Sequence, residues 1–507
     1  MARKWWTLAL SSLATFMLLL DITVVNVALP DIQRDLGASL SSLQWVVDAY
    51  SLMLAAFLLT AGSLGDRLGR RRVFSLGLGL FTFASFLCGI AGDPTLLNLA
   101  RGLQGIGGAA MFATSLALIG QEFHGRDRAT AFGVWGATVG GAVAIGPLVG
   151  GLITEHLGWE WIFFVNIPIG IVAVALTELR LANVAAQDPE RIDLPGLATF
   201  SGGLFLLIFG LIRGNPEGWG SATIVASLAG SVALLLAFLA VEARSSHPML
   251  DLALFRKPAF NGVSAVAFGL SAGMFAMFLY LTIYMQGVLD FSPLETGLRF
   301  LPLTVLSFVV APIAGKLSQR VPIRVLMGIG LALVGAGLLS MHGLSADSDI
   351  SALLPGFLVA GVGIGLTNPS IGQAAIAVVP PAKAGMGSGI NTTFRQVGIA
   401  TGVASLGAVF QSQVDSKLST VLPGAPPGLA EAVASGGSRA AAGAAPPGQR
   451  AEVVHAANVA FVSGFNEILL IGAILSFIGA ALGFALVRAS DFVQASANAE
   501  AVEPAPA

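Results

Sequence analysis

Between Gln44 and Val73 an apolar run long enough to cross a bilayer stops abruptly at Gly65-Asp66-Arg67-Leu68-Gly69-Arg70-Arg71-Arg72. A second apolar run begins at once. A turn with that density of arginine cannot lie in hydrocarbon and is hard to translocate, so the sequence predicts that it sits on the cytoplasmic side. Every other apolar run takes its direction from this turn.

Such runs recur along the whole chain, the first over 6–29 and the last over 464–487, each near the ~20 residues that a spanning helix needs. Only 11% of the 507 residues are charged and 55% are hydrophobic, where a soluble domain carries about 25% charged residues. The reading is an all-α membrane protein with 14 transmembrane helices. With both termini in the cytoplasm, most of the 26 lysines and arginines fall on cytoplasmic segments, and shifting the count by one span would reverse that bias. The start, Arg3-Lys4 followed by Trp5 to Leu29, mimics a signal peptide. It has no A-x-A cleavage site and its apolar stretch is too long, so it reads as a first span that stays.

The chain contains an echo. Gly315-Lys316-Leu317-Ser318-Gln319-Arg320 follows the tenth run as Gly62-Ser63-Leu64-Gly65-Asp66-Arg67 follows the second. Two six-helix bundles with pseudo-two-fold symmetry would explain it, one over 1–180 and one over 259–490. Between them, 181–258 holds an inserted transmembrane hairpin and a segment, Glu242–Ala259, that reads as an amphipathic elbow on the cytoplasmic surface through Met249, Leu250, Leu252 and Phe255. An Ala-, Gly- and Pro-rich outer loop covers 412–462, with short helices expected at Pro427–Ala434 and Gln449–Ser463. It reads as a mobile surface loop or as a lid over the outer vestibule. The polar tail 491–507 is expected to be disordered.

Ionisable groups inside spans are costly and mark function. Asp21 lies in Leu20-Asp21-Ile22-Thr23-Val24-Val25-Asn26-Val27-Ala28-Leu29-Pro30. A carboxyl group in apolar surroundings holds a proton more readily than one in water, as a proton carrier requires. Asp48 lies in the outer half of the second run beside Trp45 and Tyr50, and either recognises substrate or is simply hydrated at the interface. Arg101 and Gln104 are three apart and share a helix face. The fifth run carries Gly133, Gly136, Gly140, Gly141, Gly146, Pro147, Gly150 and Gly151, small residues that permit close helix packing and a proline that favours a bend. Asn391 and Arg395 lie in the thirteenth run. Phe275, Phe278, Met274 and Met277 either line a greasy cavity or pack against helices and lipid. The one cysteine, Cys88, sits in an apolar run, and the five histidines have no ligand spacing, so neither a disulfide nor a metal site is expected. There is no phosphate-cradling G-x-x-x-x-G-K-[ST] stretch and no nucleophile–base spacing, which argues against ATP hydrolysis, an enzyme, a cofactor or a nucleic-acid partner.

Gly62-Ser63-Leu64-Gly65-Asp66-Arg67-Leu68-Gly69-Arg70-Arg71-Arg72 resembles the loop between spans two and three of the major facilitator superfamily, G-x-L-x-D-R-x-G-R-[KR]-[KR]. The resemblance implies a conformational latch of Gly62, Asp66, Arg67, Gly69 and Arg70, with Asp66 paired to Arg70 and to a helix N-terminus of the other half. The Asp21 stretch is similar, almost position for position, to the first span of the fourteen-span drug:proton antiporter family, and Arg101-Gly102-Leu103-Gln104-Gly105 to its R-x-x-Q-G pattern. This implies proton coupling by Asp21, Arg101 and Gln104, with Arg101 facing the cavity. Gly146-Pro147-Leu148-Val149-Gly150-Gly151 resembles the G-P-x-x-G-G motif of exporters that antiport. Gly158-Trp159-Glu160-Trp161-Ile162-Phe163-Phe164-Val165-Asn166 resembles W-R-W-I-F-x-x-N, with Glu160 in place of Arg, and Asn391–Gln396 resembles N-x-x-R-Q. Asn26, Asp48, Asn166, Asn391 and Arg395 are the implied substrate contacts. Certain relatives have carboxylates near Arg395 and this chain has none, which puts dicationic substrates in doubt. What the resemblance implies is a monomeric, proton-driven exporter of hydrophobic or amphipathic small molecules in the bacterial cytoplasmic membrane. An exporter of an endogenous metabolite or lipid, or a receptor that kept the fold, would carry the same motifs.

Overall fold

The computed structural model describes residues 3–38, 40–123, 125–182, 193–245, 250, 252–380, 384–423, 428–434, 436 and 449–488. The expected tail 491–507 and Met249 of the elbow lie outside them. Among the described residues the secondary structure is helical throughout. The first half comprises α1 (Arg3–Leu36), α2 (Leu40–Leu68), α3 (Arg70–Gly89), α4 (Pro94–Glu122), α5 (Gly125–Leu157), α6 (Trp161–Phe164) and α7 (Asn166–Arg180). A hairpin of α8 (Leu194–Glu217) and α9 (Ala222–Glu242) follows. The second half comprises α10 (Pro258–Leu270), α11 (Ala276–Ile283), α12 (Pro293–Leu317), α13 (Ile323–Ser340), α14 (Leu354–Ala377), α15 (Ala384–Val421), α16 (Leu429–Ala434) and α17 (Arg450–Leu486). A short π-helical turn over Ser271–Phe275 joins α10 to α11, and a second over Tyr284–Val288 extends α11, so that the whole is one continuous rod.

Thirteen helical segments among the described residues are long and apolar enough to cross a membrane. They make the chain a multi-pass membrane protein. The expected fifth span falls on α5, which at 33 residues is long enough but is not one of the thirteen. Local chemistry sets several boundaries. Gly69 adopts φ 97° between α2 and α3, a left-handed turn that glycine makes without a Cβ clash. Asp93 caps α4, accepting from the Thr95 and Leu96 amides at 2.9 and 3.0 Å just before Pro94. Ser292 and Glu295 form a capping box at the start of α12.

In the first half α2 and α3 pack on α4, and α1 packs on α5. In the second half α14 sits against α12 and α13, and α17 against α10, α13 and α15. The halves meet most extensively through α5 with α12 and α2 with α15, and α14 against α5 and α15 against α4 add to the contact. The hairpin covers one of these seams, because α8 lies against both α2 and α15.

Two expectations about connecting segments differ from the structure. The loop expected over 412–462 is helical at both ends: α15 continues to Val421, and α17 begins at Arg450 and runs without a break into the last span. Between them α16 is docked rather than loose, with Leu429 and Val433 buried in one cluster with Val414, Leu418 and Ala457. The short helices expected at Pro427–Ala434 and Gln449–Ser463 correspond to α16 and to the first turns of α17, anchored by apolar residues within an Ala-, Gly- and Pro-rich composition. The elbow, whose described part is a 3-10 turn over Leu252–Arg256, does not spread on a surface. Leu250 and Leu254 are buried with Phe200 and Phe238 of the hairpin and Met386 of α15, and Glu242 accepts from the Leu250 amide at 3.1 Å.

Candidate functional site

Asp21 lies inside the first half, among α1, α3, α4 and α7. Arg101 Nη1 donates to Asp21 Oδ2 at 2.5 Å, and Gln104 Nε2 donates to Asp21 Oδ1 at 2.8 Å. The helix face shared by Arg101 and Gln104, expected from their spacing, is thus turned onto one carboxylate. Asn166 Nδ2 approaches Asp21 Oδ1 at 3.4 Å. Gln104 also donates to Ser85 Oγ at 2.9 Å and accepts from Arg101 at 2.5 Å. Arg101 Nε donates to the Val46 carbonyl at 3.0 Å, and its guanidinium lies 4.3 Å from the Tyr50 ring centroid. Asp21 is 4% and Arg101 1% exposed.

The chemistry of this network is decided by its donors. The guanidinium can only donate and both amides here present their NH2 groups, so the carboxylate that meets them accepts on both oxygens. The arrangement is complementary to ionised Asp21. A proton on either oxygen would place an O–H against an N–H and displace a partner. Here the geometry departs from the implied position of Arg101: the guanidinium does not open onto the space between the halves but is enclosed by α1, α2, α3 and α4. Burying an ion pair requires this much satisfaction, which an open cavity wall could not supply. Asn166, expected to touch substrate, belongs to the same enclosed network. Ser85, Val46 and Tyr50 complete it. Nothing in their sequence spacing singles them out, because they reach the site only through helix packing.

The fifth-span glycines connect this site to the other half. A Cβ on Gly146 would fall 1.8 Å from Thr23 Oγ1, and one on Gly150 would fall 3.1 Å from the Val24 backbone. Both contacts are on α1, two and three residues beyond Asp21. Toward its other end the same helix meets the second half, Gly133 at Pro312 and Gly136 at Pro369. Gly151 has no neighbour within 4 Å of an added Cβ, so it does not share in the close approach. The Pro147 and Asn26 side chains lie outside the described ones.

At the basic turn Asp66 accepts from Arg70 at 2.9–3.0 Å and from the backbone amide of Met386, in the first turn of α15, at 2.9 Å. A carboxylate at a helix N-terminus gains from both the free amides and the helix dipole. Arg70 reaches further, to Gln121 Oε1 at 3.2 Å. Gly62 is buried in α2 and Arg67 lies in its last turn. In the second half Ser318 donates to Gln373 at 3.1 Å near the echoed turn.

Asp48 is half-buried on α2. The opposite charge that acts on it is Arg213 of α8, a residue the sequence reading passed over although an arginine inside an apolar run is itself a signal. Arg213 also lies over Trp45, 5.4 Å from the ring centroid, and pairs with Glu217 at 2.9 Å. Between the halves a cavity is lined by Val139 of α5, Phe275 and Phe278, Ser307 of α12, and Ile364 and Asn368 of α14. Met274 and Met277, by contrast, are core residues. Asn391 is buried on α15, and Arg395, one turn further along, lies 5.6 Å from the Phe275 ring centroid.

A helical bundle in two halves, with Asp66 bonded across to the start of α15, is the architecture of a family of membrane transporters. The chain matches the Major Facilitator Superfamily over residues 11–403 and belongs to that family. It is 39% identical over 412 residues to the puromycin resistance protein pur8 of Streptomyces alboniger, covering 80% of this chain and 82% of the relative. It is 33% identical over 499 residues to the tetracenomycin C resistance and export protein of Streptomyces glaucescens, covering 95% and 91%. Multidrug resistance protein Stp of Mycobacterium tuberculosis is 36% identical over 422 residues, covering 83% and 78%. The fold is shared with the proton:xylose symporter XylE, at TM-score 0.65 and 13% identity over 96% of each chain. It is shared too with a bacterial homologue of the lysosomal transporter Spinster, at 0.58 and 18% over 97% and 99%.

Proposed function

We propose that the chain is a proton-coupled antiporter that exports hydrophobic or amphipathic small molecules, antibiotics among them, by alternating access of its two halves. It acts as a monomer in the bacterial cytoplasmic membrane, spanning it fourteen times with both termini inside. The observation that carries the reading is the enclosed Asp21–Arg101–Gln104 network on α1 and α4, joined to the other half by the glycine face of α5. A proton entering from outside neutralises Asp21, releases Arg101 and Gln104 from it, and loosens the packing of α1 on α5. The displacement is carried along α5 to α12 and α14, where the cavity opens. Proton and substrate then compete through this mechanical link rather than for one shared set of contacts. Loss of the proton to the cytoplasm re-forms the network and resets the pump. Relatives named for antibiotic resistance and export support the substrate class.

The test is a resistance and accumulation screen in an efflux-deficient host, with and without a protonophore. The reading expects lower accumulation of at least one apolar antibiotic on expression, reversed by the protonophore. Accumulation that stays low when the proton gradient is collapsed would overturn the proton-driven mechanism.

A further inference from the structure

Within the spans of the second half, Arg395 carries a charge that no described acidic group meets. Arg395 makes no hydrogen bond or ion pair among the described residues, and its one close partner is the ring of Phe275. The sequence explains why. From Leu252 to Leu289, Thr296 to Ala346, Ile350 to Val414 and Ile468 to Ser490 there is no aspartate or glutamate, and Glu467, between the last stretches, is exposed. The acids of the first half are engaged elsewhere: Asp21 by Arg101, Asp66 by Arg70 and Met386, and Asp48 beside Arg213. A guanidinium stays charged under all physiological conditions and in a membrane interior needs an acceptor.

One turn before Arg395, on the same face of α15, Asn391 is 4% exposed, and its Nδ2 is buried without an acceptor. Two donors therefore stand together with nothing to donate to. Phe275, which holds the guanidinium, also lines the cavity between the halves, with Phe278 beside it.

We infer that Arg395 and Asn391 form the anion-recognising end of the substrate site, and that the protein prefers ring-bearing apolar molecules with one acidic group. The acidic group meets Arg395 and Asn391 while the rings lie against Phe275 and Phe278. A static tie between helices would give Arg395 a carboxylate, carbonyl or amide acceptor, and it has none among the described residues. Hydrogen bonds between ionised partners are the strong ones, and in a site shielded from water they discriminate against a neutral isostere by tenfold or more.

The inference rests on the exporter reading for the identity of the cavity, but its test does not. Equilibrium binding is measured with the full-length chain in nanodiscs of zwitterionic phosphatidylcholine, so that neither a proton gradient nor an anionic headgroup takes part. The probes are 2-naphthoate, neutral 2-naphthylmethanol and cationic 2-naphthylmethylammonium. The wild type is expected to bind the anion at least tenfold more tightly than either other probe. Arg395→Gln brings the anion-to-neutral ratio below three, and Arg395→Lys, which keeps the charge, holds it above three. A wild-type ratio under tenfold, or a ratio above three in Arg395→Gln, overturns the assignment. The wild-type comparison needs no variant to fold. Loss of proton coupling in an Asp21 variant with the anion preference intact would count against the exporter mechanism and leave this site standing.

Discussion

At the scale of single residues the energetics turn on one buried pair. Removing one partner of such a pair leaves the other charged and unsolvated, at a cost of about 3–5 kcal/mol, whereas removing both costs less. Arg101→Leu should therefore destabilise the protein by roughly that amount, and adding Asp21→Asn should recover a good part of the loss. Thermal unfolding of the four forms in detergent measures the cycle. Strictly additive losses would show that the two side chains do not depend on each other. The sequence gives away Asp21, Arg101 and Gln104 because ionisable and amide groups in an apolar run announce themselves. It cannot give away Ser85 or the Val46 carbonyl, which are ordinary in composition and become partners only when α2 and α3 close over α4. Nor does it show that the pair is sealed. The spacing of Arg101 and Gln104 fixes the face they share, but not whether that face looks into a cavity or into the bundle. Asn166 illustrates the same limit: its position in the chain suits a substrate contact, and packing assigns it to the Asp21 network.

Helices are where small residues set function. On α5, Gly146 lies where any Cβ would overlap Thr23, while Gly151 in the same motif has open space around it. Gly146→Ala should push α1 off α5, an overpacking of about 1–3 kcal/mol, and lower transport in proteoliposomes by about tenfold on the scale of 1.4 kcal/mol per decade. Gly151→Ala should stay within about twofold of the wild type, as substitutions outside a close contact usually do. Equal effects at the two positions would contradict the role given to close approach. The hairpin is fixed to the first half by polar contacts, Thr60 with Ser201 at 3.0 Å and Arg213 over Trp45. Against α15 it presents apolar surface around Met386 and Ile390. Directional bonds hold one side and an apolar face the other, so α8 is expected to travel with α2. Helix existence was legible throughout, since apolar length is decisive in lipid. The extension of α15 to Val421 and the unbroken run of α17 from Arg450 into the last span were not, because both pass beyond the apolar stretches that betray the spans.

For the whole molecule, the proposed alternating access needs one end of the two halves closed while the other opens. In this structure the end at the basic turn is tied by Asp66 to the start of α15. Asp66→Ala removes a charged hydrogen bond of about 1.5–3 kcal/mol, enough to shift the open-to-closed ratio at that end by about tenfold or more. Spin labels on the exposed Arg72 and Arg320 positions would report a longer distance population, and an unchanged distribution would remove the latch from the account. The basic turn itself was readable from the sequence because arginine density and Gly69 together permit little else. The central claim is that Asp21 carries the proton whose passage drives the cycle. Substrate-triggered proton release, followed with a pH-sensitive dye in proteoliposomes holding wild type or Asp21→Asn, tests it most directly. The account predicts release from the wild type and none from Asp21→Asn, whose substrate exchange becomes independent of pH. Proton release and pH dependence of equal size in the two proteins would contradict it.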